Sequence, residues 1–308
     1  MIDGIINVYK EKGFTSHDVI AKLRGILHQK KIGHTGTLDP DAEGVLPVCL
    51  GSGTKVCDLL TEKSKIYEAV LLLGKTTDTQ DISGEVLSEA EVSCTEEEAK
   101  EAVLSFLGAY GQIPPMYSAL KVNGKKLYEL ARAGVEVERK PRRVEILDIE
   151  ILNISLPRVS FRVHCSKGTY VRTLCQDIGE KLGCGGCMES LLRTRVAQFS
   201  IEGSLKLSEI ERLAAENQLM AKVLPVDGCF SEYPAYQAKP EADRFLYNGN
   251  SVYMRQVALM EDAKESKPDE GGLIRMYDSK GTFIGLFFYD GTSRSWKPKK
   301  MFYSGARG

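Results

Sequence analysis

An α+β architecture with a small β-rich tail is the expectation for this 308-residue chain. Strand-like and helix-like segments are interleaved, but without the regular strand–helix alternation of a doubly wound parallel sheet. One segment, FRVHCSKGTYVRTLCQDIGEKLG, passes from two-residue alternation to helical spacing within itself. Beyond about residue 230 the pattern is strands and turns alone. A boundary is therefore expected at VDGCFSEYPAYQAKP, with residues 1–230 as the larger unit and 231–308 as the smaller.

Taken along the chain, GIINVYK (Gly4–Lys10) reads as a short strand. GFTSHDVIAKLRGILHQKK follows as a helix: Thr15 and Asp18 supply a start signal, and Val19, Ile20, Leu23, Ile26 and Leu27 recur at helical spacing. KIGHTGTLDPDAEGVLPVCLGSGTKV (Lys31–Val56) reads as a glycine-rich loop. IYEAVLLLG (Ile66–Gly74) is nearly all apolar, as expected of a strand buried on both faces, and TTDTQDISGE is turn chemistry. TEEEAKEAVLSFLGAYG predicts a helix opened by a capping box, Thr95 to Glu98, and ended near Gly108 or Gly111. Phe161, Val163 and Cys165 alternate, then Val171, Leu174, Cys175, Ile178 and Leu182 recur helically, with Gly183 placed to end that helix. In the tail, LIRMYDSKGTFIGLFFYDG predicts a hairpin turning at Ser279-Lys280-Gly281, within a small β-barrel.

Hydrophobic residues make up 43% and charged residues 27%, ordinary for a soluble globular protein with a sizeable core. No run of 18 or more apolar residues suggests a membrane span, and MIDGIINVYKEKG does not read as a signal peptide. The eight cysteines are scattered, which favours reduced thiols in a cytoplasmic protein. Cys184-Gly-Gly-Cys187 has no second CxxC or nearby His pair, so buried or incidental thiols are favoured over a metal site.

The net charge of −1 argues by itself against nucleic acid. Its distribution says more. Lys121 to Arg143 holds eight basic residues against three acidic, while Asp81 to Glu101 holds eight acidic residues against Lys100 alone. The basic stretch suits a phosphate backbone or a solvated helical face, and charge does not choose between them.

Asp39 precedes a proline, which disfavours the helical region and sets it at a bend. Glycines at 33, 36, 44, 51 and 53 allow close backbone approach, and His34 lies near enough to share a cleft. An Asp-Pro that only starts a turn is the plainer reading. LGSGTK lacks the spacing of a phosphate loop.

GHTGTLDPDAEGVLPVCLGSGTK resembles the catalytic loop of the TruB family of tRNA pseudouridine synthases. NVYKEKGFTSHD resembles that family's N-terminal motif, with Glu11 where proline is usual. KIYEAVLLLGKTTDTQDISGE, PPMYSALKVNGKKLYELARAGVEVER and HCSKGTYVRTLCQDIGEKLGCG resemble its second motif, its RNA-gripping insertion and its third motif. The likeness runs from about Gly4 to Phe199, and the tail resembles a PUA domain. The resemblance implies a mixed, largely antiparallel central sheet flanked by helices (the pseudouridine synthase fold). It also implies a basic insertion at about 112–145 and a PUA-like C-terminal barrel.

The activity so implied is conversion of uridine to pseudouridine at position 55 in the T-arm of tRNA, with no metal and no cofactor. Asp39 matches the nucleophile, which attacks either uracil C6 or ribose C1′. Arg172 matches its ion-pair partner, keeping the carboxylate ionised, and Tyr67 the ring that stacks on the target base. On its own Tyr67 would read as core. His34 matches the residue that fills the gap left by the extruded base, and Tyr170 and Leu191 match the uracil pocket. Asp81 matches an acidic member of the arginine network, and Lys10 of the first motif is placed with the substrate-binding residues. Lys121, Lys125, Lys126, Arg132 and Arg143 are expected on the RNA, with Arg275, Lys297, Lys299 and Lys300 toward the acceptor stem. Cys187, Leu192 and Ala197 depart from the family's usual His, Arg and Gly. A monomer without an obligatory protein partner is expected. The competing readings are a non-catalytic tRNA-binding or folding protein that kept the fold, and a hydrolase releasing free base.

Overall fold

Nine strands form the main sheet of the computed structural model, which describes residues 1–122, 124–260 and 270–303. In chain order, β1 (Gly4–Lys10) leads into α1 (Ser16–Leu27), and β2 (Ile32–His34) and β3 (Glu43–Leu50) flank the turn at Asp39. α2 (Cys57–Thr61) precedes β4 (Lys65–Leu73), and a small hairpin, β5 (Lys75–Thr77) with β6 (Val86–Glu89), precedes α3 (Glu96–Leu104) and β7 (Gly108–Gln112). A second small hairpin, β8 (Lys121–Val122) with β9 (Lys125–Lys126), and α4 (Leu127–Arg132) stand before β10 (Arg142–Ser155) and β11 (Arg158–Cys165). α5 (Val171–Lys181), β12 (Gly186–Val196), β13 (Phe199–Ser200) and α6 (Leu207–Ala215) follow. The spatial order is β1-β3-β12-β4-β11-β10-β7, antiparallel throughout except where β12 runs parallel to β3.

α3 and α5 pack through Ala99, Val103, Leu174 and Ile178 against Ala69, Leu71, Phe161 and Val163 of the sheet. α1 and α6 cover β1 and β3 through Val19, Leu23, Ile210 and Leu213. Phe161 is fully buried, and truncating such a ring to Ala costs about 3–5 kcal/mol, so the sheet is a stiff platform for what stands at its edge.

Past residue 230, β14 (Ala235–Ala238), α7 (Asp243–Tyr247), β15 (Val252–Tyr253), β16 (Val257–Leu259), β17 (Leu273–Tyr277), β18 (Phe283–Asp290) and β19 (Ser295–Met301) form a second, six-stranded sheet. All six strands supply one core: Ala238, Val252, Val257, Met276, Phe287 and Trp296 meet in it, so the sheet curls into a nearly closed barrel. The β17–β18 turn is the expected one, with Gly281 at φ +83° and the Asp278 carboxylate accepting the Lys280 and Thr282 N–H groups at 2.9 and 2.7 Å. Residues 261–269 and 304–308 of the expected smaller unit lie outside the described residues. No helix among the described residues is long and apolar enough to cross a membrane.

The α1 capping box forms as expected, Thr15 with Asp18. Three elements differ. Lys31–Val56 is a strand pair around a short turn followed by a 3-10 helix (Gly51–Val56), not one loop, because GVLPVCL is apolar enough to be buried between β1 and β12. β4 alternates between buried and half-buried residues, since helices cover one face only. The helix after Thr95 stops at Leu104, and Gly108–Gln112 becomes the edge strand paired with β10. Gly108 lies at φ +97°, which ends helical continuation, and Tyr110 then packs against the core.

Candidate active site

The turn carrying Asp39 is tied to the scaffold along its length. Ser16, fully buried at the start of α1, accepts the Leu38 N–H at 3.0 Å and donates back to the Leu38 carbonyl at 3.3 Å. The Gly13 N–H reaches the Pro40 carbonyl at 3.0 Å. Lys10 Nζ donates to the carbonyls of Ala42 at 2.6 Å, Pro40 at 3.0 Å and Glu11 at 3.2 Å. Lys10 is 0% exposed, and its burial lowers the ammonium pKa to about 8. Its contacts are thus with the turn's backbone. Arg193, also buried, donates from Nε to the Val45 carbonyl at 2.7 Å and from Nη2 to the Gly36 carbonyl at 3.3 Å. Gly44, at φ +104°, lets β12 approach β3 here, since a Cβ would stand 2.2 Å from the Arg193 carbonyl oxygen.

Arg172, on the first turn of α5, meets Asp39 with two nitrogens: Nε at 3.0 Å from Oδ2 and Nη2 at 3.3 Å from Oδ1. The guanidinium also donates to the carbonyls of Thr79 at 2.9 Å and Tyr117 at 2.8 Å, and stands 3.8 Å from Asp81 Oδ2. The Arg172 side chain is 6% exposed while that of Asp39 keeps 38%, so the arginine is a fixed backing and the carboxylate has a free side. Burial pushes the Asp39 carboxyl above the ordinary aspartate range; Arg172 pulls against that, and Asp81 adds to it. The guanidinium therefore limits the rise in pKa without cancelling it.

Leu38, Ala42, Tyr67, Val171 and Leu191 share one apolar cluster, which brings the turn, β4, α5 and β12 together. Tyr67 is buried and sits opposite Arg193 in the β4–β12 register. Burial raises its hydroxyl pKa, the Arg193 charge opposes that, and the Asp39 charge reaches it too. Tyr170, half-buried, is the cap residue of α5, and its backbone N–H and C=O are both held by the buried Gln112 side chain, at 2.8 and 3.0 Å. His34 ends β2, half-buried, in edge contact with His17 at 5.9 Å; burial and the charges of His17 and Arg193 lower its pKa, leaving a neutral ring near pH 7. Asp81 is held at a turn by Thr79 and Ser83, at 2.8 and 2.6 Å from their hydroxyls.

The basic stretch folds as the β8–β9 hairpin and α4, with Arg142 and Arg143 opening β10 of the main sheet. Lys121, Lys125, Arg132 and Arg143 are exposed and form no ion pair among the described residues. Lys126 and Arg132 flank the Tyr128 ring at 5.2 and 5.5 Å. In the tail, Arg275 is spent on the Tyr233 carbonyl at 2.9 Å and Lys297 on Asp290, while Lys299 stays exposed. Cys184 and Cys187 are buried, and no group of three His, Cys, Asp or Glu among the described residues is placed to hold a metal. Ala197 sits at φ +49°, in the left-handed region where glycine costs least, so this departure strains the backbone of the β12–β13 turn.

Sequence reasoning gave no role to Ser16, Gln112 or Arg193, nor to the Thr79 and Tyr117 carbonyls. Ser16 and Gln112 lie in or beside the quoted motifs, but their partners are backbone atoms far away in the chain, which no side-chain pattern reveals.

The family model for the TruB family pseudouridylate synthase N-terminal domain matches residues 24–171, and that for the tRNA pseudouridylate synthase B C-terminal domain matches 172–231. A protein named tRNA pseudouridine synthase B from Lachnoclostridium phytofermentans is 54% identical over 309 residues, covering 98% of this chain and 100% of that protein. A protein of the same name from Alkaliphilus oremlandii is 50% identical over 252 residues, covering 82% and 83%. Among solved structures, a chain of a Cbf5-Nop10-Gar1 complex superposes with a TM-score of 0.71 at 27% identity, covering 97% of this chain and 85% of that one. With that identity sustained over nearly its whole length, the chain belongs to the TruB family of pseudouridylate synthases.

Proposed function

We propose that this chain isomerises uridine to pseudouridine in tRNA, at position 55 of the T-arm, with Asp39 as nucleophile. The observation that carries this reading is the two-point Arg172–Asp39 pair, whose carboxylate has one free side. A guanidinium fork with two further carbonyls leaves the carboxylate no choice of direction, and a carboxylate aimed at an extruded base is what nucleophilic rearrangement needs. Asp39 attacks uracil C6 or ribose C1′; the N1–C1′ bond breaks, the uracil turns, C5 joins C1′, the bond to Asp39 breaks to free the carboxylate, and N1 takes up a proton. The C5 proton leaves last, and Tyr67 supplies the ring under the base.

Extruding the uridine costs a few kcal/mol of lost stacking. The neutral His34 ring, held by the Gly36 N–H at 3.3 Å, is suited to refill the stack, because a neutral plane enters the gap without desolvating a charge. Tyr170 and Leu191 border the pocket. Asp81 steadies Arg172, and Lys10 keeps the turn in place from beneath. The unpaired Lys121, Lys125, Arg132 and Arg143, with Lys126, form the surface for T-arm phosphates. Residues 1–230 then act as the catalytic unit, and 231–308 as a PUA-like unit against the acceptor stem through Lys299 and Lys300 rather than Arg275 or Lys297.

Incubation with an unmodified tRNA transcript, followed by nucleoside analysis and mapping, tests the reading. Pseudouridine confined to the T-arm is the expected product. Unchanged uridine on bound tRNA would instead identify a folding or binding protein, and released uracil a hydrolase.

A further inference from the structure

Arg193 is 1% exposed and has no carboxylate within ion-pair distance among the described residues. A buried cation satisfied by two carbonyls and the Tyr67 hydroxyl is expensive, and a Leu or Met on this strand would fill the space at lower desolvation cost. Its geometry shows what the charge gains. The Nε bond goes to Val45 and the Nη2 bond to Gly36, so one guanidinium spans the two ends of the segment that carries Asp39 near its middle. Across the sheet the same residue is registered opposite Tyr67, and its charge also bears on His34, Lys10 and Lys65.

We propose that Arg193 is a positioning residue: it fixes the two ends of the Asp39 turn relative to Tyr67, so that nucleophile and stacking ring share one anchor. It touches no substrate. This inference rests on the functional reading above, in which Asp39 and Tyr67 act on one base. Planar donors pointing in two fixed directions suit the task, whereas a lysine ammonium is a compact donor on a flexible stem that does not fix two separated groups in one plane. A misplacement of about 1 Å at a nucleophile costs on the order of a hundredfold in rate, so loss of the anchor registers in chemistry before it registers in RNA grip.

The test is single-turnover pseudouridine formation on full-length tRNA transcript by the intact chain, its Arg193→Lys form and its Arg193→Met form. tRNA Kd and thermal unfolding are measured on each, and all rates are taken well below each variant's Tm. The expected result is a rate loss of about a hundredfold in Arg193→Met and about tenfold in Arg193→Lys, with Kd within about threefold of the parent. Because the guanidinium charge opposes the rise of the Tyr67 hydroxyl, the alkaline side of the rate profile also moves to higher pH in Arg193→Met. Parental rates in folded Arg193→Lys overturn the proposal even if Arg193→Met does not fold. A Kd loss equal to the rate loss overturns it in favour of an RNA contact. A parent chain that makes no pseudouridine refutes the functional reading itself, a result distinct from either.

Discussion

Between His34 and Glu43 nearly every other residue is anchored from outside the turn: Gly36 by Arg193, Leu38 by Ser16, Pro40 by Gly13 and Lys10, Ala42 by Lys10. Between Lys121 and Arg143 the ties are mostly local: a two-strand hairpin, the short α4, and cations around Tyr128. The same guanidinium meets both neighbourhoods, since Arg172 holds Asp39 on one side and the carbonyl of Tyr117, just before the second region, on the other. One region fixes the Asp39 carboxylate, the proposed nucleophile, against buried donors, and the other offers exposed cations at the surface. Bond making tolerates little displacement, whereas capture of a charged backbone needs cations more than it needs fixed geometry.

That contrast is broken most severely at the shared guanidinium. Arg172→Lys retains the charge but not the fork, and kcat should fall by about a hundredfold while tRNA Kd stays within severalfold. A variant that lost binding in equal measure would show that Arg172 belongs to the capture surface instead. The opposite split is expected from Lys125→Ala with Lys126→Ala: Kd weakens on the order of tenfold, its salt slope flattens by up to about two units, and saturated turnover is nearly unchanged. An unaltered slope would remove the hairpin from the RNA interface.

The pH dependence sharpens the comparison. Asp39 has its folded pKa raised, mainly by burial, so it takes up a proton at higher pH than a free aspartate near 3.9. Activity should then fall on the acid side at a pH above the ordinary aspartate range. Because burial outweighs the Arg172 pair, the sign for stability follows the raised pKa: Asp39 costs stability once pH rises through its folded pKa. Asp39→Asn should therefore melt no lower than the parent at pH 8, and a clearly lower Tm there would mean that the ion pair outweighs burial. The smallest effect is expected at Ala197→Gly, which relieves the φ +49° backbone and should add up to about 1 kcal/mol in denaturant unfolding without changing turnover.

Much of this was legible in the sequence where chemistry is local. β1, the Thr15–Asp18 cap, the α5 periodicity and the tail hairpin each follow from neighbouring residues. The association of Asp39 with Arg172 came from family resemblance, not from spacing. What stayed hidden depends on distant backbone. VLPVCL reads as part of a loop until β1 and β12 are known to flank it, and the end of α3 reads as helix until β10 claims Gly108–Gln112. Likewise β4 looks buried on both faces, because its apolar residues do not reveal that helices cover only one. Lys10 reads as a substrate-facing cation and Arg193 carries no role, since nothing nearby in sequence marks carbonyls as their partners.

Single-turnover conversion of a tRNA transcript by Asp39→Asn protein, verified by mass to be free of deamidation, bears most directly on the central claim. No pseudouridine above background is expected, with tRNA still bound within about tenfold of the parent Kd. Pseudouridine formed at a rate near the parent's would contradict that claim.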